Sequence, residues 1–165
     1  MPDIVILGVG NPLMGDDGLG IQAIDLLRDQ WDLPAGVELV DGGTWGMSLL
    51  PILEDTNEVI LVDAITAHRL PGTIVTLERH ELPHHFRLRV SPHHVGLEDL
   101  FAVLELRGTG PISLTAIGLE PESVEWGLGL SDTIEQAMPS LVNSIVAWLA
   151  ARGMAAVRRL PTAPH

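Results

Sequence analysis

Acidic residues follow apolar runs at several points of the sequence, and two adjacent histidines occur later in the chain. Carboxylates and imidazoles bind divalent ions such as nickel or zinc, and a carboxylate can also act as a general base toward water. Hydrolysis and metal binding are therefore the chemistries to consider, provided that the fold brings these side chains together. The residues concerned are Asp16, Asp17, Asp41, Asp63, His93 and His94.

The glycine-rich stretch of residues 8–20 invites a nucleotide-binding interpretation, but its spacing argues against one. Gly8 and Gly10 are followed by Gly15 rather than by a glycine three residues on, so the dinucleotide fingerprint is broken. Asp16 and Asp17 stand where a pyrophosphate would meet the helix, and they would repel it. Helix capping is the alternative explanation for either aspartate taken singly, but a pair beside three glycines suits a metal or a reacting water better. A nucleotide-binding α/β protein is therefore a less favoured interpretation than a protein that binds a metal or hydrolyses a substrate.

The other two aspartates differ in the residues on their C-terminal side. Asp41 precedes two glycines, and Asp-Gly is typical of a turn, so a turn explains Asp41 as well as a functional role does. Asp63 ends an apolar run without a glycine after it. A carboxylate in such a buried position must be paired, hydrogen-bonded or bound to a ligand, which favours a site role for Asp63.

The histidines at residues 80–84 match the H-E-x-x-H pattern of zinc proteases, but their context argues against that chemistry. The zinc site needs both histidines on one face of a stable helix, and Pro83 removes a backbone donor inside the motif. We expect His80 and His84 to lie in a polar surface loop. His93 and His94 are expected in a second loop, just ahead of a helix that includes Leu100 and Leu104.

Short apolar runs and helical periodicities alternate along the chain, which predicts an α/β fold. The N-terminal runs are apolar throughout, as in strands that are buried on both faces of a parallel sheet. The carboxyl ends of such strands share one edge, so Asp17, Asp41 and Asp63 could share a cleft. A last helix is expected from Ser131, kinked or restarted at Pro139. The five predicted strands are residues 4–7, 37–41, 58–64, 73–77 and 111–118.

Length and composition restrict the protein's class. The 165 residues predict a single domain, residues 1–157, followed by a loose tail at residues 158–165. Cysteine and lysine are both absent, which excludes thiolate sites and Schiff-base chemistry. The net charge of −13 makes nucleic acid and anionic membranes poor partners. Without a signal peptide or a long apolar stretch, the protein is expected to be cytoplasmic.

Four fragments in this order and spacing resemble the maturation endopeptidases of nickel–iron hydrogenases. The resemblance extends over most of the chain, from Ile4 to Leu149. It implies a twisted, mixed but mostly parallel five-stranded sheet between helices, in a single three-layer domain. The fragments are Gly8 to Gly20, Asp41-Gly42-Gly43-Thr44, Val62-Asp63-Ala64 and Ser91 to Leu97.

The resemblance also implies a function and a set of site residues. The enzyme would be an aspartate-dependent, metal-gated endopeptidase that removes the C-terminal extension of the hydrogenase large-subunit precursor. Nickel carried by that precursor would be the recognition signal, bound by Asp17, Asp63 and His93, with Asp17 and Asp63 also catalytic. Asp16 and His94 are accessory candidates. Asp41, Gly42, Gly43 and Thr44 are expected to shape the peptide cleft.

A non-catalytic, metal-dependent chaperone of the same precursor is the main alternative. The carboxylate and histidine set would serve either role.

Overall fold

The computed structural model describes residues 2–43, 46–81, 92–111 and 113–161, with the backbone alone at residues 46–47 and 92–98. The strands are β1 (Ile4–Val9), β2 (Trp31–Asp32), β3 (Val37–Gly43), β4 (Glu58–Ala64), β5 (Ile74–Glu78), β6 (Ser113–Leu119) and β7 (Val157–Arg158). The α-helices are α1 (Leu19–Gln30), α2 (Leu50–Glu54), α3 (Pro92–Arg107) and α4 (Asp132–Ala151). Short 3-10 helices span Gly15–Gly18, Gly46–Leu49 and Arg79–Glu81.

The main sheet has five strands in the order β3-β1-β4-β6-β5. β1 pairs in parallel with β3 and β4, and β4 pairs in parallel with β6. Among the described strands of this sheet, only β5, at one edge, runs antiparallel to its neighbour. The α/β class and the mixed, mostly parallel sheet are therefore confirmed.

Helices cover both faces of this sheet. Successive side chains of a strand point to opposite faces, so the apolar central strands need a helix layer on each side. In β1, Ile4 and Ile6 join a core with α1 and α4, whereas Val5 and Leu7 join a second core. That second core includes Leu53 of α2 and Leu100 of α3. The fully apolar run predicted for a doubly covered strand is thus explained by burial on both sides.

The last helix does not restart at Pro139, which was one of the two predicted effects of this residue. α4 begins after Ser131, whose hydroxyl accepts the Ile134 N–H, and it continues without interruption through Pro139. A proline inside a helix costs about 3 kcal/mol or more. The buried face of α4 offsets this cost, since Met138, Leu141 and Ile145 are each almost completely buried.

The C-terminal segment that was expected to be loose is held at its start. β7 pairs antiparallel with β2, so Arg158 lies opposite Trp31. The guanidinium of Arg159 contacts Asp32 at 2.7 Å. Residues 162–165 lie outside the described part of the chain. Within the described ranges, no helix combines the length and the hydropathy that a bilayer span requires.

Candidate active site

The loop after β1 places Asp17 beside Asp63. Gly10 is in the left-handed region at φ +133°, and a Cβ on Gly10 would collide with the carbonyl oxygen of Asp17. The same Cβ would lie 3.5 Å from Oδ1 of Asp63. The backbone carbonyl of Asp17 and the carboxylate of Asp63 therefore both lie close to this glycine. The structure brings these two predicted site residues together.

Asp17 is oriented by the loop that precedes it. The Asn11 N–H donates to Asp17 Oδ2 at 3.0 Å, and the Asp17 N–H donates to the Met14 carbonyl at 3.1 Å. The side chain of Asn11 in turn accepts the Leu13 N–H at 3.0 Å. Asp17 is only 4% exposed. Its carboxylate is thus part of a fixed turn and not a mobile surface group.

Asp63 lies at the carboxyl end of β4, next to the end of β1. It follows Val59 and Leu61 in the strand alternation, so its side chain lies on the sheet face that α2 and α3 cover. The Ala64 N–H donates to Asp63 Oδ1 at 2.8 Å, and Asp63 is 2% exposed. Burial makes a carboxylate dependent on such partners, and it also strengthens the interaction with any cation that reaches it.

Gly20 allows α1 to pack close to the two strand ends. A Cβ at this position would collide with the carbonyl oxygens of Val9 and Val62. The N-terminal turn of α1 therefore packs directly on β1 and β4, which holds the Asp17 turn over the sheet edge.

The C-terminal end of α3 lies ahead of β4, where Arg107 donates to Glu54 at 2.7 Å. This end of the sheet is the one opposite Asp63, which lies at the carboxyl end of β4. A helix of 16 residues is about 24 Å long, which matches the length of a seven-residue strand. α3 is therefore long enough to run the full length of the sheet.

His93 and His94 lie in the first turn of α3. They were expected in a loop just ahead of the helix, but the helix already begins at Pro92, because proline suits the first helical position. The structure describes only the backbone of these two histidines. Among the residues whose side chains are described, no three acidic or histidine side chains form a metal-binding group. The metal set of Asp17, Asp63 and His93 stays a prediction.

Asp16 has a different environment from its neighbour. Its Oδ2 accepts the N–H groups of Glu122 and Ser123 at 2.9 Å each and the Ser131 hydroxyl at 2.9 Å. Its Oδ1 accepts the Ser131 N–H at 2.7 Å. The side chain is fully buried. The carboxylate of Asp16 thus joins the turn that carries Asp17 to the loop before α4, an arrangement that we call the Asp16 clasp.

The sequence does not predict the Asp16 clasp. Its four donors stand 106 to 115 residues further along the chain, and three of them are backbone groups that carry no side-chain signature. The serine at the start of α4 is predicted as a helix cap, but nothing in the sequence links it to Asp16.

Asp41 lies on the far side of β1 from Asp63. It is aligned with Gly8 across the β3–β1 pair, so it stands two strands from β4, roughly 10 Å away at the usual strand spacing. Its carboxylate accepts the Gly43 N–H at 3.0 Å, which is the turn geometry that the sequence indicated. Asp41, Gly42 and Gly43 line a hollow of about 160 Å³ with Ser48 and Leu49. Thr44 lies outside the described residues.

The H-E-x-x-H pattern does not lie on an α-helix in the part that the structure describes. His80 and Glu81 belong to a three-residue 3-10 helix, and the His80 side chain is 81% exposed. Residues 82–90, including His84, lie outside the described ranges.

The structure is thus an α/β fold in which two buried aspartates, Asp17 and Asp63, lie close to Gly10. The family model for hydrogenase maturation proteases matches residues 21–148. The hydrogenase 2 maturation protease of Escherichia coli strain K12 is 37% identical over 157 residues, which are 94% of this chain and 96% of that protein.

Solved structures give the same relationship. The hydrogenase maturating endopeptidase HybD from Escherichia coli superposes with a TM-score of 0.89 at 37% identity, covering 96% of this chain and 98% of that one. The NiFe hydrogenase maturation protease HybD of Thermococcus kodakarensis gives a TM-score of 0.68 at 25% identity, covering 90% and 99%. This chain belongs to the hydrogenase maturation protease family, and it is accordingly a hydrolase of peptide bonds.

Proposed function

We propose that this protein is an endopeptidase that removes the C-terminal extension of a nickel–iron hydrogenase large-subunit precursor. Nickel already bound in that precursor serves as the recognition signal. The observation that carries the proposal is that two buried aspartates, Asp17 and Asp63, both lie close to Gly10 in a member of this family.

Nickel belongs to the substrate in this proposal. Two carboxylates and one imidazole form a partial ligand set for nickel, so Asp17, Asp63 and His93 complete a shell that the precursor begins. The closeness of Asp17 and Asp63 to the same glycine, Gly10, supports the grouping of the two aspartates. A precursor without nickel lacks these contacts and binds weakly, so the metal confers specificity for matured precursor.

Hydrolysis then needs an activated water at the scissile peptide bond. One of the two carboxylates takes a proton from the water as the oxygen attacks the carbonyl carbon, and the proton passes to the leaving amine. Polarisation of the water by the substrate's nickel is the alternative activation. The hydrogen bonds from the Asn11 N–H to Asp17 and from the Ala64 N–H to Asp63 keep both side chains in place during either route.

The scissile segment enters beside β3 in this scheme. The hollow next to Asp41, Gly42 and Gly43 lies at the same strand ends, and the Gly10 N–H donates to the Gly43 carbonyl at 3.1 Å. The Asp41 carboxylate holds the turn, so the backbone of the two glycines is the surface offered to the peptide.

The first experiment incubates purified protein with nickel-loaded and nickel-free precursor and weighs the products by mass spectrometry. We expect loss of a C-terminal peptide from the nickel-loaded form alone. Cleavage of both forms would remove nickel as the signal while keeping the protease. Binding without any change in precursor mass would favour the chaperone alternative.

Substitutions at the candidate residues, each with a control of the same residue type, test the roles proposed for them. Asp17→Asn and Asp63→Asn should each lower the cleavage rate by about 100-fold or more, the range typical of general-base loss. Asp55→Asn is the control, because Asp55 is an exposed aspartate at the opposite edge of the sheet. His93→Ala should raise the KM for nickel-loaded precursor, with the exposed His80→Ala as its control. Wild-type cleavage by Asp17→Asn at saturating precursor would remove Asp17 as the base.

A further inference from the structure

Large apolar side chains are exposed beside the candidate active site. Trp126 is 77% exposed, Leu128 is 83% exposed and Leu13 is 51% exposed. Leu13 belongs to the glycine loop that carries Asp17, and the other two belong to the loop between β6 and α4. Tryptophan is among the residues most enriched in the energetic centres of protein interfaces.

These side chains are held next to one another by backbone contacts. The Gly127 N–H donates to the Leu13 carbonyl at 2.9 Å, and the Gly15 N–H donates to the Gly127 carbonyl at 3.0 Å. The Asp16 clasp fixes the same loop at Ser123 and Ser131. The apolar surface is therefore preorganised and rigidly attached to the turn that carries Asp17.

A groove of about 360 Å³ continues from this surface along α1. It is lined by Gly15 and Gly18, which flank Asp16 and Asp17 in the chain, by Ile21 of α1, and by Leu128 and Gly129 of the loop before α4. A groove between a helix and a loop suits an extended segment, because an extended chain can place alternate side chains into it.

The charge around the groove is mainly negative. Lysine, arginine and histidine are all absent from residues 1–27 and from residues 108–151, the two stretches that line it. Asp25 lies in the groove wall and is paired with Arg28 at 3.3 Å, whereas Glu122 and Glu125 are exposed on the neighbouring loop. A segment that combines apolar and basic side chains is complementary to such a surface.

We propose that this groove, lined by Leu128 and flanked in the chain by the exposed Trp126, binds the C-terminal extension of the precursor as an extended apolar and basic segment. The inference rests on the proposed function and deepens it. Precursor residues before the cut lie toward the hollow at Gly42 and Gly43, and the extension leaves the site on the other side, along α1. The groove thereby presents the extension's first peptide bond to Asp17 and Asp63.

The test uses the full protein with a photoreactive benzoylphenylalanine in place of Trp126 or, separately, Leu128. Each variant is irradiated with nickel-loaded precursor, and the cross-linked peptide is identified by mass spectrometry. We expect cross-links within the C-terminal extension. Cross-links confined to the body of the precursor, or none at all in variants that still cleave it, would overturn the proposal.

Kinetics supply the second measurement. The double variant Trp126→Ala/Leu128→Ala should lower kcat/KM for nickel-loaded precursor by about tenfold or more, the loss expected for interface anchors. Leu106→Ala is the control, since Leu106 is 88% exposed near the far end of α3. An unchanged kcat/KM in the double variant would refute the groove. Failure of the wild-type protein to cleave would instead refute the proposed function.

Discussion

Substitutions at the two adjacent aspartates, Asp16 and Asp17, are expected to affect different properties of the protein. Asp16 accepts four hydrogen bonds in a fully buried position, whereas the Asn11 N–H ties the Asp17 carboxylate to the glycine loop beside Asp63. We therefore predict that substitutions at Asp16 lower mainly the free energy of unfolding, and that Asp17→Asn lowers mainly the rate of precursor cleavage.

The magnitude is set by the contacts of Asp16. A hydrogen bond to a charged group contributes about 1.5–3 kcal/mol, but loop donors can bind water once the carboxylate is gone. Asp16→Ala should therefore cost about 3–4 kcal/mol of unfolding free energy, well below the sum of four bonds. For a chain of this length, that corresponds to a decrease in Tm of roughly 10 °C.

Asp16→Asn is a more conservative substitution at the same position, because asparagine keeps the size of aspartate. Its amide can keep the three contacts of Oδ2 if its oxygen takes that position. The amide nitrogen then faces the Ser131 N–H, which is a donor, so one contact becomes unfavourable. We expect a cost of about 2 kcal/mol, between wild type and Asp16→Ala.

Thermal unfolding followed by circular dichroism measures these effects, with precursor cleavage assayed well below the transition. Asp55→Asn provides the matched control for the loss of one negative charge. A Tm for Asp16→Ala within about 2 °C of wild type would refute the clasp, because a change of that size corresponds to about 1 kcal/mol or less. A larger stability loss in Asp17→Asn than in Asp16→Asn would reverse the assignment of the two residues.

Three further changes test other parts of the structure. Gly10→Ala should abolish cleavage and lower Tm, because its Cβ would collide with the Asp17 carbonyl at φ +133°; normal cleavage by this variant would contradict the loop geometry. Leu27→Ala, in the core between α1 and the sheet, should cost about 2–5 kcal/mol in urea unfolding while cleavage persists at low temperature, so a loss under about 1 kcal/mol would be unexpected. Arg159→Ala removes a surface ion pair with Asp32 and should lower the free energy of unfolding by less than about 1 kcal/mol. A large decrease in Tm would contradict this, because it would mean that the contact beside the β2–β7 pair contributes more to stability than a surface ion pair does.

The sequence by itself determined the five strands of the main sheet and identified Asp63 as a candidate site residue. The apolar runs of β1 and β4 match strands buried on both faces, because strands covered by helices must be apolar throughout. Asp63 stood out for the same reason, since a carboxylate at the end of such a run cannot be left without partners. The Asp41 turn was equally local, because its contact with Gly43 spans two residues.

Only the tertiary structure distinguished Asp16 from Asp17. The two residues have the same type and lie between the same two glycines, and their difference arises from donors more than 100 residues away. The pairing of Trp31 with Arg158 and the continuity of α4 through Pro139 have the same origin. Local propensity describes what a segment prefers on its own, whereas these features depend on contacts that form when distant segments pack together.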